Sequence, residues 1–315
     1  MLHDVVVNDT TGSDPTVDLV SRGTNGFDDT TVPTRLLVLG LAHRNGDIVT
    51  SELWPVTEAC GLTADQVRSC LRRLVSEGLF TRKGEGRDAR YVATESGHAA
   101  LAGTMARHVL AYAQDAAGRG WDRTWRLVAF NIPESKRAAR DTFRDWLLAL
   151  GAAPISNGLY VSAHRWDAEV TAEIARLDIA DHVTTSSTDD LSVGGVTNPR
   201  ELARALWPLE RIADRYREFI EIYRDVPDEL DDMRRRGDKI SEADFLPGAL
   251  HIAIRFNQCF ELDPLLPPEL LPKPWPGREA RDVLARCRKL GLLTRQDKSG
   301  PALFRVFDDV ISSLP

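Results

Sequence analysis

The sequence predicts an α+β chain in three folded parts. These are an N-terminal winged helix-turn-helix, a central ferredoxin-like βαββαβ domain and a C-terminal helical domain. Three observations predict it. A capped helix from Thr63 runs straight into a glycine-rich hairpin. After Gly118-Arg119-Gly120, short apolar strands and amphipathic helices follow in the split βαβ order. From Asn198 the pattern is helical, interrupted by a run of prolines.

Residues 1–32 carry six aspartates and one arginine among Thr, Ser, Gly and Asn, with no period, and read as a disordered acidic tail. The winged part is expected over 33–94. Pro33 suits the first position of a helix whose buried face is Leu36, Leu37, Leu39 and Gly40 or Leu41. Thr50 or Ser51 starts a second helix with Leu53 and Trp54 inward, and Gly61 closes the turn after it. Thr63 and Gln66 form a capping box, which satisfies free amide donors at the start of the third helix. Gly78 stands where a left-handed residue stops that helix. Between them Val67, Cys70, Leu71, Leu74 and Val75 share one face. A short strand (Leu79 to Thr81), a basic turn from Lys83 to Arg87 and a strand through Tyr91 complete the hairpin.

A linker helix is expected over 95–120, with Leu101, Met105, Val109 and Tyr112 as a stripe that packs on its own domain or on a second copy. The central domain, 121–196, contains strands at Arg126–Phe130, Ala153–Ile155, Leu159–Ser162 and Val183–Ser186, with Ser156-Asn157-Gly158 as a hairpin turn. Its helices are Lys136–Leu150, with Ala139, Phe143, Trp146 and Leu150 inward, and Ala168–Leu177. The last part, 197–315, starts on the signal Asn198-Pro199-Arg200-Glu201. Leu209, Ile212, Tyr216, Phe219 and Tyr223 line its second helix. Arg234-Arg235-Arg236, beside Asp231, Asp232 and Asp238, reads as a self-neutralised loop. A helix over Phe245–Phe260, an extended six-proline loop and a helix from Gly277 to about Leu290 follow.

Charge points to function. The 315 residues carry a net charge of −7, so the surface as a whole is not basic. Yet Thr63 to Tyr91 holds seven basic residues against four acidic ones, a local excess opposed to the global sign. The exposed face of the third helix (Asp65, Arg68, Ser69, Arg72, Arg73, Ser76) and the wing residues Arg82, Lys83, Arg87 and Arg90 are the candidate DNA contacts. A solvated helix face is the plain alternative for Arg68, Arg72 and Arg73.

Other chemistry is thin. Seven scattered histidines lack HxxxH or HExxH spacing, so no metal site is expected, and no P-loop, G-x-S-x-G or G-x-G-x-x-G occurs, so no cofactor or catalytic residue is either. His164 beside Trp166 suits a pocket wall, although a solvated loop histidine is commoner. The four cysteines show no CxxC spacing, the longest apolar runs are far too short for a bilayer, and the N-terminus lacks a signal core. A cytoplasmic protein with reduced thiols is expected, without a membrane partner.

Three stretches together resemble the PaaX-type transcriptional repressors. They are V-R-S-C-L-R-R-L-V-S-E-G-L at Val67–Leu79, W-R-L-V-A-F-N-I-P-E-S-K-R-A-A-R at Trp125–Arg140 with G-L-Y-V-S at Gly158–Ser162, and D-P-L-L-P-P-E-L-L-P-K-P-W-P-G at Asp263–Gly277. The resemblance, over roughly residues 33–290, implies a dimeric repressor that binds double-stranded operator DNA and is released by a small effector, phenylacetyl-coenzyme A in the family. By position the recognition helix is Asp65–Ser76 and the wing Arg82–Arg90. Family members carry basic residues shortly before the Asp-Pro loop, where this chain has Asn257-Gln258, so a different effector is the alternative if those basic groups serve an acidic ligand. No effector-binding residue carries over. Arg137, Arg140 and Arg144 are the candidates for its phosphates, with a solvated face as their plainer role.

The central domain also resembles the small ferredoxin-like nuclease of CRISPR adaptation complexes, which holds Mg²⁺ with an aspartate at the end of its first strand. Asn131 occupies that position and lacks the charge a hard cation requires. A metal-dependent nuclease and a ligand-independent DNA-docking adaptor are therefore the alternatives, behind a repressor that is not an enzyme.

Overall fold

The computed structural model describes residues 34–296 and residue 305. The expected acidic tail and the helix start at Pro33 lie outside these residues. The described chain is a mixed α+β protein with two antiparallel sheets. Contacts divide it into two compact units. Among the described residues, one gathers 34–101 with 220–255, 282–296 and 305, and the other gathers 102–219 with 256–281. The segment expected as a C-terminal domain is thus shared between the two.

In the first unit α1 (Thr34–Gly40) is followed by β1 (Ile48–Val49), α2 (Thr50–Ala59) and α3 (Ala64–Ser76). Then come β2 (Phe80–Lys83) and β3 (Arg90–Ala93). The three strands pair antiparallel in the order β1-β3-β2, with Ile48 opposite Tyr91 and Phe80 opposite Ala93. Strand β1 was not foreseen, because two residues are too few to show a period of two. Leu37, Val38, Leu53, Val56, Val67, Leu71, Leu74 and Phe80 are buried. Val75, expected inward, is 38% exposed, since it lies at the edge of the α3 stripe.

Helix α4 (Glu95–Ala117) leads into the second unit. Of its stripe, Leu101, Met105 and Tyr112 are half-buried and Val109 is exposed. There β4 (Trp125–Phe130), α5 (Arg137–Ala149), β5 (Ala153–Ser156), β6 (Leu159–Ser162), α6 (Asp167–Arg176) and β7 (Val183–Thr188) build a four-stranded sheet in the order β5-β6-β4-β7. Strand alternation sends successive side chains to opposite faces. Val128 and Tyr160 join Phe143 and Leu147 of α5 and Val170 of α6 in one core. Trp125 and Val161 join a second core with Leu202, Trp207, Leu266, Leu270 and Leu271. The turn between β5 and β6 requires Gly158. Its φ is +76°, and a Cβ there would lie 2.5 Å from the Phe130 carbonyl oxygen.

Helix α7 (Pro199–Leu206) is capped by Asn198, whose side chain accepts from the amides of Arg200 and Glu201. It is followed by α8 (Leu209–Tyr223), α9 (Val226–Arg236), α10 (Glu242–Phe260) and α11 (Pro276–Thr294). Leu209, Ile212, Tyr216, Phe219 and Tyr223 are buried as their spacing implies. Arg234, Arg235 and Arg236 end helix α9 and do not lie in a loop. They still neutralise themselves on Asp231, Asp232 and Asp238 at 2.5–3.1 Å. Gly237, in the left-handed region, follows as the cap.

Candidate nucleic-acid interface

The site is built from α3 and the β2–β3 hairpin. The Thr63 amide donates to Gln66 Oε1 at 2.8 Å and the Gln66 amide donates to Thr63 Oγ1 at 3.3 Å, so the capping box holds the first turn. Burial of Val67, Cys70, Leu71 and Leu74 fixes the rotation of α3. Asp65, Arg68, Ser69, Arg72, Arg73 and Ser76 are consequently exposed together. The Cys70 thiol is pushed up by burial, partly offset by Arg35 and Arg73, so it is an inert core group.

The hairpin is tied down at its base. The Thr50 hydroxyl donates to the Ala89 carbonyl at 2.6 Å, and the Thr94 hydroxyl donates to the Gly78 carbonyl at 2.6 Å. Lys83, expected to open the turn, sits with Arg82 inside β2, the two opposite Arg90 and Tyr91. Both are exposed. The tip is a single 3₁₀ turn at Gly86–Asp88, and nothing is described of the Arg87 side chain.

The ten candidate residues are not equivalent. Arg68 pairs with Asp65 at 3.1 Å and lies over the Trp54 ring, 5.6 Å from its centre. Arg90 reaches Asp47 at 3.5 Å. The Ser76 hydroxyl is spent on the Arg73 carbonyl at 2.9 Å. Arg72, Arg73, Arg82 and Lys83, by contrast, have no ion-pair partner among the described residues. Four exposed uncompensated cations on two successive elements form a local field suited to phosphates. Sequence spacing could not separate these four from Arg68 and Arg90, whose partners depend on tertiary position.

In the second unit the Asp-Pro loop is anchored by groups the sequence reading passed over. Arg107 donates to the carbonyls of Asp263 at 2.8 Å and Ala149 at 3.0 Å. The Asp263 carboxylate accepts from the Tyr216 hydroxyl at 2.9 Å and the Leu265 amide at 2.8 Å. Burial pushes the Asp263 carboxyl up, against the pull of Arg281. Arg281 makes a two-pronged pair with Asp115 at 2.6 and 2.8 Å. His164 Nε2 meets the Pro264 carbonyl at 2.8 Å, so that ring holds the loop in place.

Chain-wide comparison places the molecule. Residues 33–97 match the model described as PaaX-like protein, 118–203 the PaaX protein central Cas2-like domain, and 207–294 the PaaX-like protein C-terminal domain. The chain belongs to the PaaX family. Among curated relatives, it is 24% identical over 243 residues to "Transcriptional repressor PaaX" of Escherichia coli strain K12, covering 77% of this chain and 74% of that one. Among solved structures, it is similar to the uncharacterised protein Rv0674 from Mycobacterium tuberculosis, with 20% identity and a TM-score of 0.49 over 84% of this chain and 96% of that one. Within the PaaX central region, Asn131 directly follows β4, exposed, its amide donating to the His182 carbonyl at 3.0 Å. Among the described residues no three His, Cys, Asp or Glu are gathered in a way that suits a metal ion. The Asn257 side-chain amide donates to Glu261 Oε1 at 2.7 Å.

Proposed function

We propose that this PaaX-family chain is a DNA-binding transcriptional repressor, not an enzyme, that acts in the cytoplasm as a homodimer on double-stranded operator DNA. A small acyl-coenzyme A thioester, phenylacetyl-coenzyme A or a related one, releases it. The observation that carries the reading is the set Arg72, Arg73, Arg82 and Lys83, exposed and without ion-pair partners among the described residues. In this reading residues 33–94 form a winged helix-turn-helix. Helix α3 enters the major groove with Ser69 toward base edges, while Arg72 and Arg73 beside the groove and Arg82 and Lys83 on the hairpin hold phosphates, with Arg87 and Arg90 as the remaining wing candidates. Asp65 and Arg68, paired with each other, orient the start of the helix.

The central sheet, in the order β5-β6-β4-β7, is read as a ferredoxin-like scaffold that docks and spaces the reading heads. Nuclease chemistry is disfavoured there by Asn131, which lacks the charge a catalytic Mg²⁺ needs. The name of the Escherichia coli relative and the three PaaX segments support the repressor role.

The test is binding to a fluorescent duplex taken from upstream of the protein's own gene, titrated with phenylacetyl-coenzyme A, other acyl-coenzyme A esters and the free acids. A hundredfold release requires differential affinity of about 2.7 kcal/mol between the two states. Release by a thioester is the expected result. Release by a free acid alone removes the coenzyme A reading and leaves the repressor. No duplex bound above non-specific affinity removes both.

A further inference from the structure

We propose that a groove on the central four-stranded sheet binds a small organic anion with a flat apolar body, its carboxylate or phosphate held by Arg140, Arg144 and the hydroxyl of Tyr160. The groove has a volume of about 460 Å³, inside the usual range for ligand sites. Helix α5 supplies Arg140 and Arg144, four residues apart and therefore on one face. Phe130 and Tyr160 lie stacked, with ring centres 5.5 Å apart and planes at 7°, and Pro154 and Ile155 add apolar surface. Ser156, Asn157 and Gly158 of the turn also line it.

Tyr160 decides the chemistry. It is only 6% exposed, lines the groove, and its hydroxyl has no hydrogen-bond partner among the described residues. The hydroxyl is not sealed from solvent, so it presents to the groove a donor that no protein group occupies and that an entering acceptor can take. Burial pushes the phenol up from its ordinary value, which keeps its proton in place for donation.

The two arginines reinforce it. Arg140 gives one Nη to Glu134 at 2.9 Å and passes Asp141 at 3.8 Å, which leaves other donors of its fork unspent. Arg144 contacts Asp145 at 2.9 Å and Asp141 at 3.3 Å. Glu134 and Asp145 are exposed, and such surface pairs are weak enough for an entering anion to displace. Guanidinium groups accept carboxylate and phosphate in the same two-pronged way, so the groove fits either head group. The stacked rings and Pro154 favour a planar body over a bare inorganic ion. As an effector pocket the groove rests on the repressor reading. As a binding site it stands independently.

Isothermal titration of the full-length protein with benzoate, phenyl phosphate, inorganic phosphate and benzyl alcohol tests it. At least one of the two aryl anions binds, and benzyl alcohol and inorganic phosphate bind far more weakly. Which aryl anion binds more tightly assigns the head group. Tyr160→Phe, which keeps the stacked ring, and Arg144→Gln each weaken that binding about tenfold or more. Circular dichroism of the two variants matches the parent. The proposal is overturned if neither aryl anion binds below about 10 mM, if both variants bind like the parent, or if benzyl alcohol binds as well as the anions. Binding that leaves operator affinity unchanged supports the groove and removes only its role as effector pocket.

Discussion

Removing Arg72 and Arg73 together separates a phosphate-binding face from a merely solvated one. Each phosphate neutralised by a cation contributes about 0.9 to the slope of log K against log salt. The four cations without partners (Arg72, Arg73, Arg82, Lys83) then give about 3.6 per protomer. Between roughly 50 and 200 mM salt that slope weakens binding by about 150-fold per protomer, and the double alanine variant halves it to about 1.8, or about 12-fold. Arg68→Ala is the internal control. Its charge is already offset by Asp65 at 3.1 Å, so the slope stays near that of the parent. All three side chains are exposed, so melting temperatures remain within a few degrees. The assay is fluorescence anisotropy on an upstream duplex over a salt series. An unchanged slope in the double variant, or an equal loss in Arg68→Ala, refutes the argument that unpaired charge selects the contacts.

Further outcomes follow from the packing and the titrating groups. Phe143, fully buried between α5 and the sheet, should cost about 3–5 kcal/mol on change to Ala, read from urea midpoints. Asn198→Ala removes a cap on two amides and costs about 1 kcal/mol by the same measurement. Gly158→Ala places a methyl against the Phe130 carbonyl oxygen at a positive φ, and a lower melting temperature than Gly237→Ala, where nothing crowds the site, is expected. Burial pushes the His251 imidazole down to about 4, with its Nδ1 2.8 Å from the Tyr223 hydroxyl. The unfolded chain therefore binds the proton first. Stability is present above the ordinary histidine value near 6.5 and falls as pH drops toward 4. Burial lowers His108 and His164 in the same way, so His251→Gln should make that limb shallower without abolishing it, and an unchanged profile would mean that the other two set it.

The sequence by itself determined what depends on near neighbours along the chain. The Thr63–Gln66 box and the Asn198 cap are legible because donor and acceptor lie within three residues. The buried faces of α3 and α8 are legible because a helix repeats every 3.6 residues. The α+β class and the local basic excess follow from the same short-range signals, and so does the neutral Asn131 after the first central strand.

What only the tertiary structure decided involves partners far apart in sequence. Strand β1 exists because Ile48 and Val49 find β3 more than 40 residues away. Arg90 is paired and Arg82 is not because Asp47 lies beside one of them. Arg107 and Arg281 look like ordinary helix cations until Asp263 and Asp115 are brought to them. Residues 220–255 and 282–296 and Arg305 belong to the same unit as the N-terminal helices through contacts such as Arg305 with Glu52 at 3.1 Å, which no periodicity encodes. The Tyr160 hydroxyl, open to the groove, belongs to the same class. A donor is satisfied or not according to what the fold places within hydrogen-bond reach, and the chain's local pattern carries no record of that distance.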